Sequence, residues 1–291
     1  MNLFVFGLGY SARFVARSLV AGGATIAATV RSSAKADELS ALGYAMHLFA
    51  GTGRDEATAR AVAEADALLV SIPPGAAQDP VLESYGDDIA KAPKLRWIGY
   101  LSTVGVYGDH AGGWVDETTP PRPRGERSLR RHQAELQWLA FGRANGVAVH
   151  LFRLAGIYGP GRNQLVQLAD GTARRIVKPG QVFNRIHVED VVQVVVASLA
   201  HPRAGAIYNL ADDEPAPPQD VVAYAAALCG RAPPPEIPFE EAALSAMSRS
   251  FFGETKRVSN RLVKTELGVR LRYPTYREGL MALRAAGDGP A

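Results

Sequence analysis

Two glycines near the start of the chain have the spacing of a phosphate-binding turn. Leu3–Phe6 is apolar enough for a strand buried on both faces, and it leads directly into Gly7-x-Gly9-x-x-Ala12. Gly7 permits a tight turn, Gly9 lets a ligand approach the backbone, and Ala12 allows the helix to pack closely on the strand. The free N–H groups and the dipole at the start of that helix favour an anion. We therefore predict that the pyrophosphate of a dinucleotide binds here, at Gly7, Leu8, Gly9, Tyr10, Ser11 and Ala12.

The elements around this turn are the ones that such a site requires. Apolar residues between positions 15 and 20 recur at helical spacing, and Gly22 and Gly23 end that helix. A second strand is predicted over Ala24–Val30. Tight strand–helix turns also use glycine for geometry alone, and a turn of that kind is the alternative to a binding site.

The residue that ends the second strand distinguishes the two nicotinamide dinucleotides in folds of this type. Arg31 stands there, Ser32 follows it, and no acidic residue occurs before Asp37. Because a guanidinium offers paired, planar donors to a phosphate, the sequence favours NADP over NAD. A solvated arginine at a strand end is the alternative. Ile72 and Pro73, which end the fourth predicted strand, either pack on the cofactor or form a simple turn.

Strands and helices alternate along the first half of the chain with short links between them. This alternation predicts an α/β fold, a Rossmann-like doubly wound parallel sheet with helices on both faces. We expect a dinucleotide-binding domain over residues 1–160 and a mixed part over residues 161–291 that completes the sheet and forms a substrate lobe. The valine-rich segment 188–199 is predicted as a helix, because its valines have helical spacing and it is long for a strand. Another helix is expected near 239–248.

Composition narrows the functional class. The chain has 291 residues, of which 47% are hydrophobic, and a formal net charge of +3. Its one cysteine, Cys229, cannot form an internal disulfide, no apolar run is long enough for a membrane span, and no signal peptide precedes the first strand. We therefore expect a cytoplasmic protein without membrane association. The arginine cluster at positions 122–131 lacks interleaved aromatic residues, which favours a small anionic substrate or a solvated helix face over nucleic acid.

Four later segments resemble the extended short-chain dehydrogenase/reductase superfamily, in particular its NAD-dependent epimerase/dehydratase group. They are Leu101–Gly108, Glu117–Pro123, Phe152–Gly161 and Ile186–Val191. The resemblance covers most of the chain. It implies an enzyme that works with a nicotinamide dinucleotide, a small, nucleotide-sugar-like substrate and a possible homodimer.

The residues that transfer protons in that family have changed in this chain. The family uses a tyrosine as acid and base, a lysine four residues later that lowers the tyrosine's pKa, and a serine or threonine. Thr103 falls on the serine or threonine position. Counting back from Glu135, which matches the family's acidic residue, Arg131 occupies the lysine position and Arg127 the tyrosine position. Arginine cannot donate a proton at neutral pH, so the loss of Tyr-x-x-x-Lys puts the family's usual mechanism in doubt.

Tyr107, four residues beyond Thr103, is the phenol that could stand in for the missing tyrosine. A neighbouring arginine, Arg127 or Arg131, would lower its pKa if it were catalytic, whereas packing against the loop is the alternative. Arg185 lies near the place where sugar-nucleotide members of the family use an arginine on substrate phosphates. It is therefore the candidate for substrate binding, with a solvated arginine as the alternative.

We expect structural rather than catalytic roles for four other polar residues. His132 is expected on a helix surface and His187 as a hydrogen-bonding residue before a helix. Asp116 and Glu117 are expected to pair with the nearby arginines. Two functions remain open: an NADP-linked oxidoreductase or epimerase with an anionic substrate, or a catalytically silent NADP-binding protein that senses redox state or regulates a partner.

Overall fold

The computed structural model describes residues 1–290. In this range the strands are β1 Asn2–Phe6, β2 Thr25–Val30, β3 Ala45–Leu48, β4 Ala67–Val70, β5 Trp97–Thr103, β6 Trp114–Val115, β7 Ala148–Leu154, β8 Gly156–Tyr158, β9 Arg175–Val177, β10 Arg185–His187, β11 Ala206–Leu210, β12 Glu236–Pro238 and β13 Arg257–Val258. The α-helices are α1 Tyr10–Ala21, α2 Ser33–Ser40, α3 Glu56–Ala63, α4 Pro80–Ala90, α5 Glu126–Asn145, α6 Gln164–Ala169, α7 Val188–Ala200, α8 Pro218–Leu228, α9 Ala246–Phe251, α10 Arg261–Glu266 and α11 Tyr276–Ala285. Short 3-10 helices cover Val104–Tyr107 and Phe239–Glu241.

A seven-stranded sheet in the order β11-β7-β5-β4-β1-β2-β3 carries the fold. The pairs that join β5, β4, β1, β2 and β3 are parallel, and β1 lies between β2 and β4 with Leu3 opposite both Ile26 and Ala67. The strand order reverses beside β1, and the carboxyl ends of strands at such a reversal form the usual ligand crevice of open α/β sheets. The predicted α/β, Rossmann-like architecture is confirmed.

The chain divides into two compact units that interleave along the sequence. The first unit comprises 1–103, 126–153 and 191–208, and the second comprises 104–125, 154–190 and the chain from 209 onward. The prediction placed a single boundary at residue 160. The units interleave because, after residue 160, the chain supplies α7 and then β11, the edge strand of the central sheet.

The core of the first unit is rich in aromatic residues. The Phe4 ring lies 4.8 Å from that of Phe6, which in turn lies 5.4 Å from the Tyr85 ring on α4. Tyr100 on β5 and Trp138 on α5 are also fully buried in this cluster. Burial of several large side chains between the sheet and its helices anchors the strands whose ends form the candidate site.

The second unit is built around α6, α8 and α11, with Tyr158, Tyr276 and Leu280 in its core. Short parallel strand pairs, β8 with β10, β9 with β12 and β6 with β13, complete it. Within residues 1–290, no helix has the length and apolarity that a membrane crossing would need.

Two predicted elements have a different extent or form in the structure. The helix expected near 239–248 is divided, because Ala242 is extended and the Ser245 side chain accepts a hydrogen bond from the Ser248 N–H to begin α9. The segment between β5 and α5, which the sequence predicts to be rich in turns, contains a 3-10 helix and β6. The valine-rich segment is a helix, as predicted, and extends over Val188–Ala200.

Candidate functional site

The glycine turn between β1 and α1 is a tight, specifically bonded structure. Gly7 has φ of +89°, a conformation that favours glycine, and a Cβ there would lie 2.4 Å from the Ile72 side chain. Thr29 fixes the turn from β2: its Oγ1 accepts from the Gly7 N–H at 2.9 Å, and its carbonyl accepts from the Leu8 N–H at 2.9 Å. The turn is therefore shaped by its own strands before any ligand is bound.

The end of α1 that faces this turn has the features of an anion site. Gly9 is the N-cap and gives the first turn no side-chain acceptor, and no acidic residue lies in that turn. Gly9 is exposed, and a Cβ built on it would meet no other atom of the described chain within 4 Å. A pyrophosphate needs open space beside exposed backbone N–H groups at a helix N-terminus. The residues present therefore fit a dinucleotide.

The other residues of the predicted cofactor segment have distinct positions. Leu8 and Ala12 are buried in the core, and Ser11 is almost completely buried. The half-buried Tyr10 ring lies 5.2 Å from the Phe14 ring on the same helix. The fully buried Ala12 lets α1 pack closely on the sheet, which is the role expected for the third small residue of the motif.

Arg31 and Ser32 lie at the carboxyl end of β2, and both are exposed. The Arg31 guanidinium forms no hydrogen bond or ion pair with any other of residues 1–290. Ser32 is the N-cap of α2, yet its hydroxyl makes no capping hydrogen bond. A cation, a hydroxyl and a helix N-terminus thus occur together with their donors available, as binding of a phosphate requires.

Ile72 and Pro73 follow β4 beside the glycine turn. The Ile72 side chain is half-buried and packs directly against Gly7, as the short distance to a Cβ at Gly7 shows, whereas Pro73 is exposed. The structure therefore brings Ile72 together with the predicted pyrophosphate turn.

A buried ionic network supports the end of β5. Glu135 on α5 is 1% exposed and accepts hydrogen bonds from Ser102 Oγ at 2.5 Å and from Arg153 on β7 at 2.8 and 3.1 Å. Burial opposes ionisation of Glu135, but the nearby His132 side chain and the hydrogen bonds from Arg153 and Ser102 outweigh it and lower the pKa of this carboxyl. The network positions Thr103, which is half-buried and is the next residue after Ser102.

The two arginines at the positions of the family's tyrosine and lysine differ in their surroundings. Arg127 is exposed. Arg131 is half-buried and donates from NH1 to the Leu101 carbonyl at 2.9 Å and to the Tyr100 hydroxyl at 3.0 Å. These bonds fix one side of the Arg131 guanidinium against β5. Burial raises the pKa of Tyr100 well above its usual value, because the arginine offsets the loss of solvation only in part.

In the second unit, Tyr107 is fully buried at the end of a 3-10 helix. Its hydroxyl donates to Asn209 Oδ1 at 2.8 Å, and the Asn209 N–H donates to Glu117 at 2.8 Å. Glu117 therefore accepts a backbone hydrogen bond, and Asp116 accepts hydrogen bonds from Thr118 and Thr119. The proton-transfer role of Tyr107 stays a prediction.

Arg185 lies on β10 in the second unit and is 8% exposed. Its NH1 donates to the carbonyls of Phe183 at 3.0 Å and Ala216 at 3.2 Å. Burial lowers the pKa of Arg185 and raises that of the nearby Asp212 to about 8, although the arginine counteracts the second effect. A substrate-binding role for Arg185 also stays a prediction.

His187 has the structural surroundings that were expected, whereas His132 is only partly exposed and its Nδ1 is buried. His187 is 1% exposed, and its Nδ1 accepts from the Glu189 N–H at the start of α7. Burial and the Arg272 charge lower the pKa of His187 to about 4. His132 lies on α5 with Nδ1 3.6 Å from Glu135.

The sequence analysis used Glu135 only to locate the positions of the family's tyrosine and lysine. It missed the hydrogen bonds of Glu135 with Ser102 and Arg153, because these bonds join residues far apart in the chain.

The family can now be assigned. The sequence model of the NAD dependent epimerase/dehydratase family matches residues 88–211. Protein YeeZ of Escherichia coli K12 is 31% identical over 281 residues, which are 93% of this chain and 95% of that protein. The chain belongs to the NAD-dependent epimerase/dehydratase family. Membership in the family makes it an NAD(P)-binding protein of the epimerase/dehydratase type.

Solved structures of similar proteins have the same fold. A conserved protein of unknown function from Silicibacter pomeroyi is 49% identical, with a TM-score of 0.89 and 99% of each chain covered. UDP-glucuronic acid 4-epimerase from Bacillus cereus, solved in complex with NAD, has a TM-score of 0.75 over 97% of each chain at 16% identity. At that identity the second likeness shows the shared fold alone.

Proposed function

We propose that this family member is an NADP-linked oxidoreductase or epimerase that acts on an anionic, nucleotide-sugar-like substrate. The observation that carries the choice of NADP is Arg31, an exposed and unpaired cation, within residues 1–290, at the end of β2. The neighbouring Ser32 and the start of α2 add further donors, and an acidic residue, which would repel a 2′-phosphate, is absent before Asp37. Arg127 and Arg131, on α5, support an anionic substrate.

The cofactor, when bound, supplies or accepts a hydride. The chain's own residues bind and orient: the glycine turn and the start of α1 hold the pyrophosphate, and Arg31 holds the 2′-phosphate. The Thr103 hydroxyl donates a hydrogen bond to the reacting oxygen of the substrate. The positive charge of Arg131 stabilises a developing oxyanion.

A catalytically silent NADP-binding protein is the second candidate. It is favoured by a specific observation: the positions of the family's proton-transfer pair are arginines, and the candidate phenol, Tyr107, is fully buried and bonded to Asn209. Such a protein would bind the reduced and oxidised cofactor with different affinities and would report redox state without turnover.

Turnover separates these two candidates. For an oxidoreductase we expect NADPH consumption, followed by its absorbance, with at least one member of a panel of sugar nucleotides and carbonyl compounds. An epimerase returns the hydride and consumes no NADPH, so its turnover is followed with NADP⁺ as conversion of one sugar nucleotide into its isomer, separated by chromatography. Thr103→Ala should lower kcat by about a hundredfold, because one transition-state donor is lost. The exposed Thr172→Ala is the control and should leave kcat unchanged. Tight NADPH binding without turnover on the whole panel would support the silent protein instead.

A further inference from the structure

A cavity of about 430 Å³ lies within the first compact unit. Residues 74–79, the loop that follows β4, form one wall. The other wall is a face of α5 whose polar side chains are Glu126, Arg130, Gln133 and Gln137. Helical spacing places these residues on a different side of α5 from Arg127 and Arg131. The volume is within the range of small-molecule sites, about 300–1,000 Å³.

The loop wall of this cavity is held in a defined shape. Asp79 is fully buried; its Oδ1 accepts from the Val81 N–H at 3.0 Å and its N–H donates to Gln137 Oε1 at 3.0 Å. These bonds tie the loop to the start of α4 and to α5. A Cβ at Gly75 would lie 2.6 Å from the Gln78 carbonyl oxygen, so the loop closes on itself where only glycine fits without displacement.

The polar lining of the cavity has little net charge. Glu126 and Arg130 form an ion pair with each other, so their charges cancel. Burial raises the pKa of Asp79, which favours the neutral acid. The cavity therefore has no surplus cation for a phosphate or carboxylate ligand.

The amide side chains in the cavity are available to a ligand. The side chains of Gln78 and Gln133 form no hydrogen bond with another residue of the described range, 1–290. Each amide offers two donors and an acceptor, a combination that matches hydroxyl groups, which also both donate and accept. Leu129, Ala134 and Pro74 supply apolar surface between these amides.

We propose that this cavity binds an uncharged, polyhydroxylated small molecule with the chemistry of a sugar. Its hydroxyl groups bond to the glutamine amides, and its C–H faces pack on the apolar residues of the lining. This site is separate from the cofactor turn and from the anionic substrate of the proposed function, and it does not depend on either.

Titration of the full-length protein with maltose, followed by ¹⁵N–¹H NMR, tests this site. We expect saturable shifts of the backbone amides of residues 75–79 and of the Gln78 and Gln133 side-chain amides. Gln133→Leu should weaken maltose binding by about tenfold, since hydrogen bonds to the ligand are lost. Gly75→Ala should weaken it as well, because the loop must open. Gln167→Leu, at an exposed glutamine on α6, is the matched control and should bind as the natural protein does.

Three results would overturn the proposal. The first is a titration without saturable shifts in these amides. The second is equal maltose affinity in the Gln133→Leu and Gln167→Leu variants. The third is a parallel titration in which inorganic phosphate saturates the same amides more tightly than maltose, since that result would identify an anion site.

Discussion

At the scale of single residues, Arg31 determines which dinucleotide is expected. Arg31→Ala should weaken NADPH binding by roughly 10- to 100-fold, the loss expected for charge-assisted hydrogen bonds, and should change NADH affinity by less than about twofold. Arg17→Ala removes another exposed arginine, on α1, and serves as the control. Calorimetric titration of each variant with both cofactors measures the effect. An equal loss for NADPH and NADH would place Arg31 away from the 2′-phosphate.

His187 makes folding stability depend on pH. Its pKa is lowered to about 4 in the folded protein from an ordinary value of 6.5, so the unfolded chain binds its proton more readily. The contribution of His187 to the free energy of unfolding is complete above about pH 6.5. It is lost as the pH falls towards 4, which lowers the free energy of unfolding by about 3 kcal/mol. Asp190, whose pKa burial raises to about 6, acts in the opposite direction over part of this range, so the test compares variants.

The prediction for His187 is measured by urea unfolding at pH 4.5 and 7. His187→Asn keeps an acceptor for the Glu189 N–H and removes the titration, so the loss of stability on acidification should be smaller than in the natural protein. His201→Asn, at an exposed histidine, should retain the full loss. The same pH dependence in all three proteins would contradict the assignment to His187.

At the scale of secondary-structure elements, the Glu135 network joins β5, α5 and β7. Glu135→Ala should destabilise the protein by about 3–5 kcal/mol, because the buried Arg153 guanidinium loses its counter-charge. Glu126→Ala on the same helix removes an exposed ion pair and should cost less than about 1 kcal/mol. Denaturant unfolding measures both variants. Similar losses in the two would mean that the buried network is not a main support of the end of β5.

Elements with local sequence signals could be predicted, whereas contacts between distant segments could not. β1, α1, β2 and their glycine turn were predictable because the period of apolar residues and the glycine positions are local signals. The Glu135–Arg153 pair was not, since its residues are 18 positions apart on different elements and only the sheet order brings them together. The helix near 239–248 was predicted as one segment because helical spacing does not reveal a capping serine in its middle.

At the scale of the whole molecule, the sequence predicted the sheet class but not how the chain divides into compact units. A boundary at residue 160 was predicted because strands and helices alternate regularly before this residue and irregularly after it. The structure instead assembles each unit from three segments, because β11 joins the central sheet after the chain has built part of the second unit. Residues 161–291 were expected to complete the sheet, but the local pattern does not show which of their segments do so, because that depends on long-range pairing.

The central claim is that the glycine turn and Arg31 form an NADP site. Isothermal titration of the natural full-length protein with NADPH and with NADH, at one ionic strength, tests it most directly. We predict one NADPH bound per chain and affinity for NADPH at least about tenfold above that for NADH, as a bonded 2′-phosphate requires. Equal or tighter binding of NADH would contradict the role of Arg31, and no binding of either cofactor would contradict the assignment of the site.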